Sequence, residues 1–156
     1  MTQRADATIA DNRKARFDYH IDERVEAGIA LLGTEIKSVR AGHVNLREGY
    51  ARVEHREAWL LGVHIAPWAH GGRDNHEPLR KRKLLLHRAQ IVLLGTRAAQ
   101  KGYTIVPLRM YLKDGRAKVE LGLARGKKRY DKREAIRERE AAREIAAAVK
   151  RQVRRG

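Results

Sequence analysis

The chain has 156 residues, no cysteine, and 35 Lys and Arg against 19 Asp and Glu, a formal net charge of +16. That length holds one domain with an appendage; the lack of cysteine excludes disulfides and thiolate zinc sites, and no apolar run reaches the ~18 residues needed to span a membrane. So basic a chain asks for a polyanionic partner, because phosphates neutralised by Lys and Arg release their counterions.

Nucleic acid comes before a membrane surface, since the basic end of the chain lacks the bulky apolar face of an interfacial helix. The N-terminus carries no continuous apolar stretch and does not read as a secretion signal, which predicts a cytoplasmic protein.

Residues 1–16 are polar, punctuated by Asp and Asn, and without period, which predicts a flexible arm. From Phe17 the pattern changes. Phe17, Tyr19, Ile21, Val25, Ala27, Ile29 and Leu31 stand on odd positions, broken only by Glu23, while Asp18, His20, Asp22, Arg24 and Glu26 stand on even ones. That period predicts a half-buried strand, with Gly28 as the place for a bend or bulge that curls the sheet. Thr34 is placed to cap a short helix that stops at Gly42, with Ile36 and Val39 inward and Lys37 and Arg40 outward.

A strand pair follows: Tyr50–Glu54, a turn at residues 55–57, and a run in which Trp59, Leu61, Val63 and Ile65 alternate. Residues 68–82 are rich in Gly, His and Arg and have no apolar period, which predicts a loop that stays mobile until partnered. Residues 83–102 carry Leu84, Leu85, Ile91, Leu94 and Ala98 at helical spacing and end at Gly102, which predicts a helix with Gly95 as its weak point. Two alternating runs, 103–112 and 116–123, flank Asp114 and Gly115, the strongest short hairpin signal in the chain. Ala117, Val119, Leu121 and Leu123 share a face of the second run, and Pro107 places the first near an edge or a bulge.

About five or six strands with one inserted helix, in roughly 110 residues, point to a mainly β fold closed as a small barrel. Its expected limits are residues 17–124. Residues 125–156 then hold thirteen Lys and Arg against five Asp and Glu, a net of +8, half of the total charge. This tail is built from strong helix formers. Asp131 stands ready to cap it with Glu134 three residues on, and Lys150, Arg151, Arg154 and Arg155 suit the negative end of the helix dipole. Ile145, Val149 and Val153 form a stripe one residue wide, too thin to dock on a barrel, so the tail is expected to be helical when bound to a charged surface.

Few residues suggest catalysis. The stretch from Gly122 to Lys128 fails as a phosphate-binding loop, because three residues separate the glycines and Lys128 stands where Ser or Thr should hold magnesium. His64, His70, His76 and Glu77 lack metal-ligand spacing and read as solvated or RNA-facing. Asp74 and His76 lack a third, orienting group. No cofactor and no metal site are expected. Three readings stay open at this point: a specific RNA-binding adaptor, a general RNA binder such as a ribosomal protein with a basic extension, and an enzyme of RNA processing.

Several blocks, in one order from Ala7 to the end, resemble the small protein B family: residues 12–16 (NRKAR), 26–40 (EAGIALLGTEIKSVR) with Gly42 and Asn45, 82–87 (RKLLLH), 101–108 (KGYTIVPL) and 126–134 (GKKRYDKRE). The resemblance implies an oligonucleotide-binding barrel with accessory helices. It also implies a monomeric adaptor of trans-translation that binds the tRNA-like domain of tmRNA and acts with elongation factor Tu. Such an adaptor enters stalled 70S ribosomes and lays its tail in the decoding site and empty message channel, against rRNA.

Carried over, Asn12, Glu26 and Leu85 match positions tied to tmRNA binding, with Tyr19 and Lys83 beside them. Glu26 would accept hydrogen bonds from bases or ribose, and Leu85 would pack on an unstacked base unless it is core. Lys37, Arg40, Arg82 and Lys83 would contact phosphates unless they are ordinary surface charge. Gly126, Asp131, Lys132 and Arg133 match the tail motif associated with entry into the decoding site. Tyr130 would stack on a ribosomal base, Lys127 and Lys128 would anchor phosphates, and Ile145, Val149 and Lys150 would lie along the channel. Two departures stand out: Ala89 and Gln90 where acidic residues are common, and the alanine-rich IAAAVK of residues 145–150.

Overall fold

The computed structural model describes residues 7–127 and 129–155, and of residues 129–135 and 152–155 the backbone only. The described elements run β1 (Ala7–Asp11), α1 (Arg13–Asp18), β2 (Tyr19–Ile29), α2 (Gly33–Arg40), β3 (Val44–Asn45), β4 (Tyr50–Glu54), β5 (Glu57–Leu61), β6 (His64–Ile65), β7 (Arg82–Leu85), α3 (Arg88–Ala98), β8 (Tyr103–Lys113), β9 (Arg116–Gly126) and α4 (Arg129–Arg155).

The hairpin β8–β9 turns on Asp114 (φ 52°) and Gly115 (φ 77°), two left-handed residues that match the twist of the strands they join. Pro107 has no N–H to give a ladder, and the register shifts between Pro107 and Arg109 as that lack requires. From this hairpin the sheet closes. β9 pairs with β2, β2 with β7, β7 with β5, β5 with β4, and β4 with β8, which returns to β9, so six antiparallel strands form a ring. The inward residues of the ring fill it: Leu60, Leu84, Ile105, Met110, Val119, Leu121 and Leu123 are buried in one cluster, with Leu94 of α3 and Val39 of α2 covering its ends. The mainly β, closed-barrel expectation holds.

Gly28 serves close approach, not a bulge. It pairs with Lys118 of β9 on one side and Leu85 of β7 on the other, and a Cβ there would lie 3.1 Å from the Leu85 Cβ. The bulge in β2 falls earlier, between Ile21 and Glu23.

Four further expectations are corrected. Residues 7–16 are not a flexible arm: β1 lies on β8 with Ala7 opposite Leu112 and Asp11 opposite Arg109, and Ala15 of α1 is buried against Val106, Leu108 and Ala124. The strand expected from Phe17 is β2 and begins at Tyr19, after α1. The alternation from Trp59 to Ile65 changes parity at Gly62. Ala58 and Leu60 face the core before it and Val63 and Ile65 after it, as Gly62 takes φ +70° where a Cβ would collide with the Glu48 carbonyl. Residues 83–85 are strand, and α3 starts only at Arg88, where Gln90 accepts a hydrogen bond from the His87 N–H at 3.1 Å. Gln90 thereby does the capping work an acidic residue would do.

Residues 68–82 are fastened to the barrel. Asn75 brackets Trp68, donating to its carbonyl at 2.7 Å and accepting from its N–H at 3.1 Å, around a single 3₁₀ turn at Gly72–Asp74. His76 is buried. Its Nε2–H donates to the Ile65 carbonyl at 2.9 Å, which leaves Nδ1 to accept from the Thr34 hydroxyl at 2.8 Å. His76 is therefore neither solvated nor RNA-facing. Thr34 is spent on this bond and does not cap α2, which begins one residue earlier after Leu32. Among the described residues no helix is long and apolar enough to cross a membrane.

Candidate nucleic-acid interface

Strand parity decides what β7 shows to solvent. Arg82 and Leu84 point inward and are buried, while Lys83 and Leu85 point outward and are exposed, Leu85 by 54%. An open groove of about 830 Å³ lies along this outer face, lined by Glu26 of β2, Lys83 and Leu85 of β7, Arg56 from the β4–β5 turn, Lys118 of β9 and Ile91 of α3. Three basic side chains, two carboxylates (Glu26 and Glu57) and the apolar Leu85 and Ile91 share its lining. Three of the residues expected from the sequence, Glu26, Lys83 and Leu85, meet here.

Glu26 is oriented from beneath. The Tyr111 hydroxyl donates a short hydrogen bond to its Oε2, and Lys113 Nζ stands 3.4 Å from its Oε1. The Tyr111 bond first, then Lys113 and Lys118, hold the Glu26 carboxyl below the usual carboxylate range against the opposing effect of desolvation. Burial and the Glu26 charge push the Tyr111 phenol far up, so it stays a donor. The Arg109 guanidinium lies 4.2 Å over the Tyr111 ring and 3.4 Å from Glu120. Lys83 is held loosely, 3.3 Å from the exposed Glu57, a contact that costs little to exchange for a phosphate. Arg56 and Lys118 have no acidic partner within ion-pair distance among the described residues, and sequence reading missed both, along with Tyr111. The hairpin register was their signal, since it sets Lys118 opposite Tyr111 on β8, and β9 then sets it beside Gly28.

Two expected RNA contacts are structural instead. Arg82 is sealed from solvent. Its Nε donates to Glu35 Oε2 at 2.5 Å, Nη1 to the Val63 carbonyl at 2.7 Å and Nη2 to the Pro78 carbonyl at 3.0 Å. Glu35, equally buried, also accepts from Arg80 at 2.5 Å and from the Leu32 N–H at 2.8 Å. Burial alone would raise its pKa, but the hydrogen bonds from Arg80, Leu32 and Arg82 outweigh it and hold the carboxyl below the usual range. The second is Asn12, also buried. Its Nδ2 donates to the carbonyls of Leu46 (3.2 Å) and Pro107 (2.9 Å), and its Oδ1 caps α1 by accepting from the Ala15 N–H at 3.2 Å. Both amide donors are spent, so Asn12 fixes α1 and has no donor left for RNA.

The remaining expected residues are dispersed. Tyr19 is half-buried in a smaller groove of about 300 Å³ bounded by α1 and the residues before β4. Lys37 and Arg40 are exposed on α2, without acidic partners among the described residues. Gly126 ends β9 opposite Tyr19, and the Lys127 N–H donates to the Asp18 carbonyl at 2.9 Å. The helix α4 begins at Arg129, two residues before the expected cap Asp131. Lys128 lies outside the described residues, as do the side chains of Tyr130, Asp131, Lys132 and Arg133. Further along α4, Ile145, Val149 and Lys150 are exposed, with Ile145 and Val149 one turn apart.

A closed antiparallel barrel, a groove on its wall that brings Arg56, Lys83 and Lys118 beside the exposed Leu85, and a basic helix beyond it define a nucleic-acid-binding barrel protein. The residues say which kind. The family described as SmpB protein matches residues 9–151, and the chain belongs to that family. It is 61% identical over 148 residues to the SsrA-binding protein of Roseiflexus sp. (strain RS-1), covering 94% of each chain, and 53% identical over 148 residues to that of Staphylococcus aureus (strain Newman), covering 95% of this chain and 96% of the relative. Among solved structures it resembles a chain described under "tmRNA-SmpB: a journey to the center of the bacterial ribosome", with a TM-score of 0.67 at 51% identity over 82% of this chain and 94% of that one.

Proposed function

We propose that this chain is an adaptor of ribosome rescue: it binds the tRNA-like domain of tmRNA and, with elongation factor Tu, brings it to 70S ribosomes stalled on messages without a stop codon. The observation that carries this reading is the meeting of Glu26, Lys83 and Leu85 in one groove. Lys83, Arg56 and Lys118 supply phosphate contacts that set register. Leu85 offers an apolar platform to a splayed base, and the ionised Glu26 accepts from a base edge or a 2′-hydroxyl. Tyr19, Lys37 and Arg40 extend the footprint. Names borne by relatives at 53–61% identity support the choice of RNA.

The tail has a different task. Gly126, Lys127, Lys128, Tyr130, Asp131, Lys132 and Arg133 enter the decoding site, and Ile145, Val149 and Lys150 follow in the empty message channel against rRNA, where the helix is held. The protein works by binding, without chemistry of its own, as a cytoplasmic monomer. A chain ended after Lys127 keeps the whole ring of strands. It should still bind tmRNA in preference to an ordinary tRNA through the groove, and should fail to support peptide tagging on stalled ribosomes. Loss of tmRNA binding in that chain, or intact tagging, would refute the division of labour.

A further inference from the structure

A second basic cleft, of about 750 Å³, opens away from the groove, where α4 passes α1. Arg13 of α1, Arg47 from the segment before β4, and Arg139 and Arg143 of α4 converge on it. Asp11 lines the cleft with them and pairs with Arg16 at 2.9 Å, Glu48 pairs with Lys14 at 3.4 Å, and Glu140 and Glu144 of α4 are exposed to solvent. The four arginines have no acidic partner within ion-pair distance among the described residues. Phe17 completes the wall, with the Arg139 guanidinium 5.7 Å from its ring.

Three elements far apart in sequence build this place, and the buried Asn12 holds two of them. Its side chain caps α1 and at the same time binds the Leu46 carbonyl, next to Arg47. Arg139 and Arg143, four residues apart on α4, fall on one helix face and supply the opposite wall. Six basic side chains, Lys14 and Arg16 among them, line the cleft against the single carboxylate of Asp11, and a polyanion threaded between them relieves their mutual repulsion. The planar forks suit phosphate oxygens, and an aromatic face beside them suits a base.

We infer that this cleft is a second RNA site, which clasps a phosphodiester backbone between α1 and the first half of the tail helix. The inference rests on the RNA-binding reading above and adds to it: RNA held here fixes the direction in which the tail leaves the barrel. Asn12 then acts as a positioning residue for the cleft.

The test uses the full chain, with Arg13→Ala, Arg143→Ala and the double variant titrated with tmRNA across a range of salt. Lys83→Ala serves as the groove control, and polyglutamate as a competitor. Each single variant should bind about 3–10-fold more weakly, with the slope of log K against log salt smaller by about one. The double variant should lose less than the product of the two, because half a cleft cannot clasp a phosphate. If both single variants match the parent while Lys83→Ala binds weakly, the cleft is refuted and the groove stands. If Arg13→Ala alone weakens binding, α4 is not a wall and the inference fails. If polyglutamate displaces the RNA from the parent at equal charge, the site is one for acidic protein, and the inference fails again. If Lys83→Ala and the cleft variants all bind as the parent does, the underlying reading of the groove fails with it.

Discussion

Arg82 and Lys83 are neighbours on one strand, both basic, and they do opposite work. Arg82 points into the fold and donates three hydrogen bonds that tie α2, the segment before β7 and the end of β6's approach to one another through Glu35, Pro78 and Val63. Lys83 points out beside Leu85, and its ammonium meets an exposed glutamate. The difference teaches that a positive charge in a nucleic-acid-binding protein is assigned by strand parity and by its partners, not by its type. A buried guanidinium whose donors are met cannot be released to a phosphate without breaking its ion pair with Glu35, which then keeps Arg80 alone as its cationic partner.

The largest effect should separate these neighbours outright. Arg82→Ala should lower unfolding free energy by about 3–5 kcal/mol, the cost of breaking a buried ion pair by removing one partner. Lys83→Ala should stay within about 0.5 kcal/mol of the parent. Urea unfolding of both checks this, and equal stability of the two variants would erase the distinction.

The same ion pair has a pH signature. Because the folded Glu35 carboxyl is held below its ordinary range, the unfolded chain takes up its proton first as pH falls. The contribution of the pair is therefore complete above the ordinary carboxylate range and is lost as pH drops through the folded value. Glu35→Gln should lower stability at neutral pH and flatten the acid limb of the stability curve. An acid limb as steep as the parent's would count against this.

Next comes the parity switch that lets both faces of the barrel wall be used. At Gly62 a Cβ would sit 2.5 Å from the Glu48 carbonyl oxygen with φ at +70°, so Gly62→Ala should cost about 2 kcal/mol, read as a lower thermal midpoint. The smallest effect sharpens the groove side. Leu85→Ser should lower stability by less than about 1 kcal/mol, since more than half of the side chain is in solvent, and weaken tmRNA binding by about 1 kcal/mol, roughly fivefold. A stability loss above that size would make Leu85 part of the core.

Much of the barrel was legible in the residues. Asp114 and Gly115 located the long hairpin, the odd-position apolar residues of β2 marked its inner face, and Pro107 announced its bulge. What stayed hidden depends on distant partners. Residues 7–11 are too short and mixed to read as a strand, and their partner β8 lies about a hundred positions later. Arg82 looks like surface charge until Glu35, 47 residues earlier, is seen to be buried with it. Asn12 and His76 are misread for the same reason, since the carbonyls they satisfy, those of Pro107 and Ile65, come from other parts of the chain. Of the groove, Glu26, Lys83 and Leu85 came through family resemblance. Tyr111, which orients Glu26, is a strand residue with no local signal beyond its place in the alternation.

The account stands on the groove discriminating one RNA from others, and a salt titration tests that most directly. The full chain and a Lys83→Ala/Leu85→Ala variant would be titrated with tmRNA and with an ordinary tRNA. The account predicts that the parent prefers tmRNA at high salt, where backbone contacts are weakened, and that the variant loses this preference while unfolding at the parent's midpoint. Equal, salt-sensitive binding of both RNAs by the parent would contradict it and leave a general RNA binder.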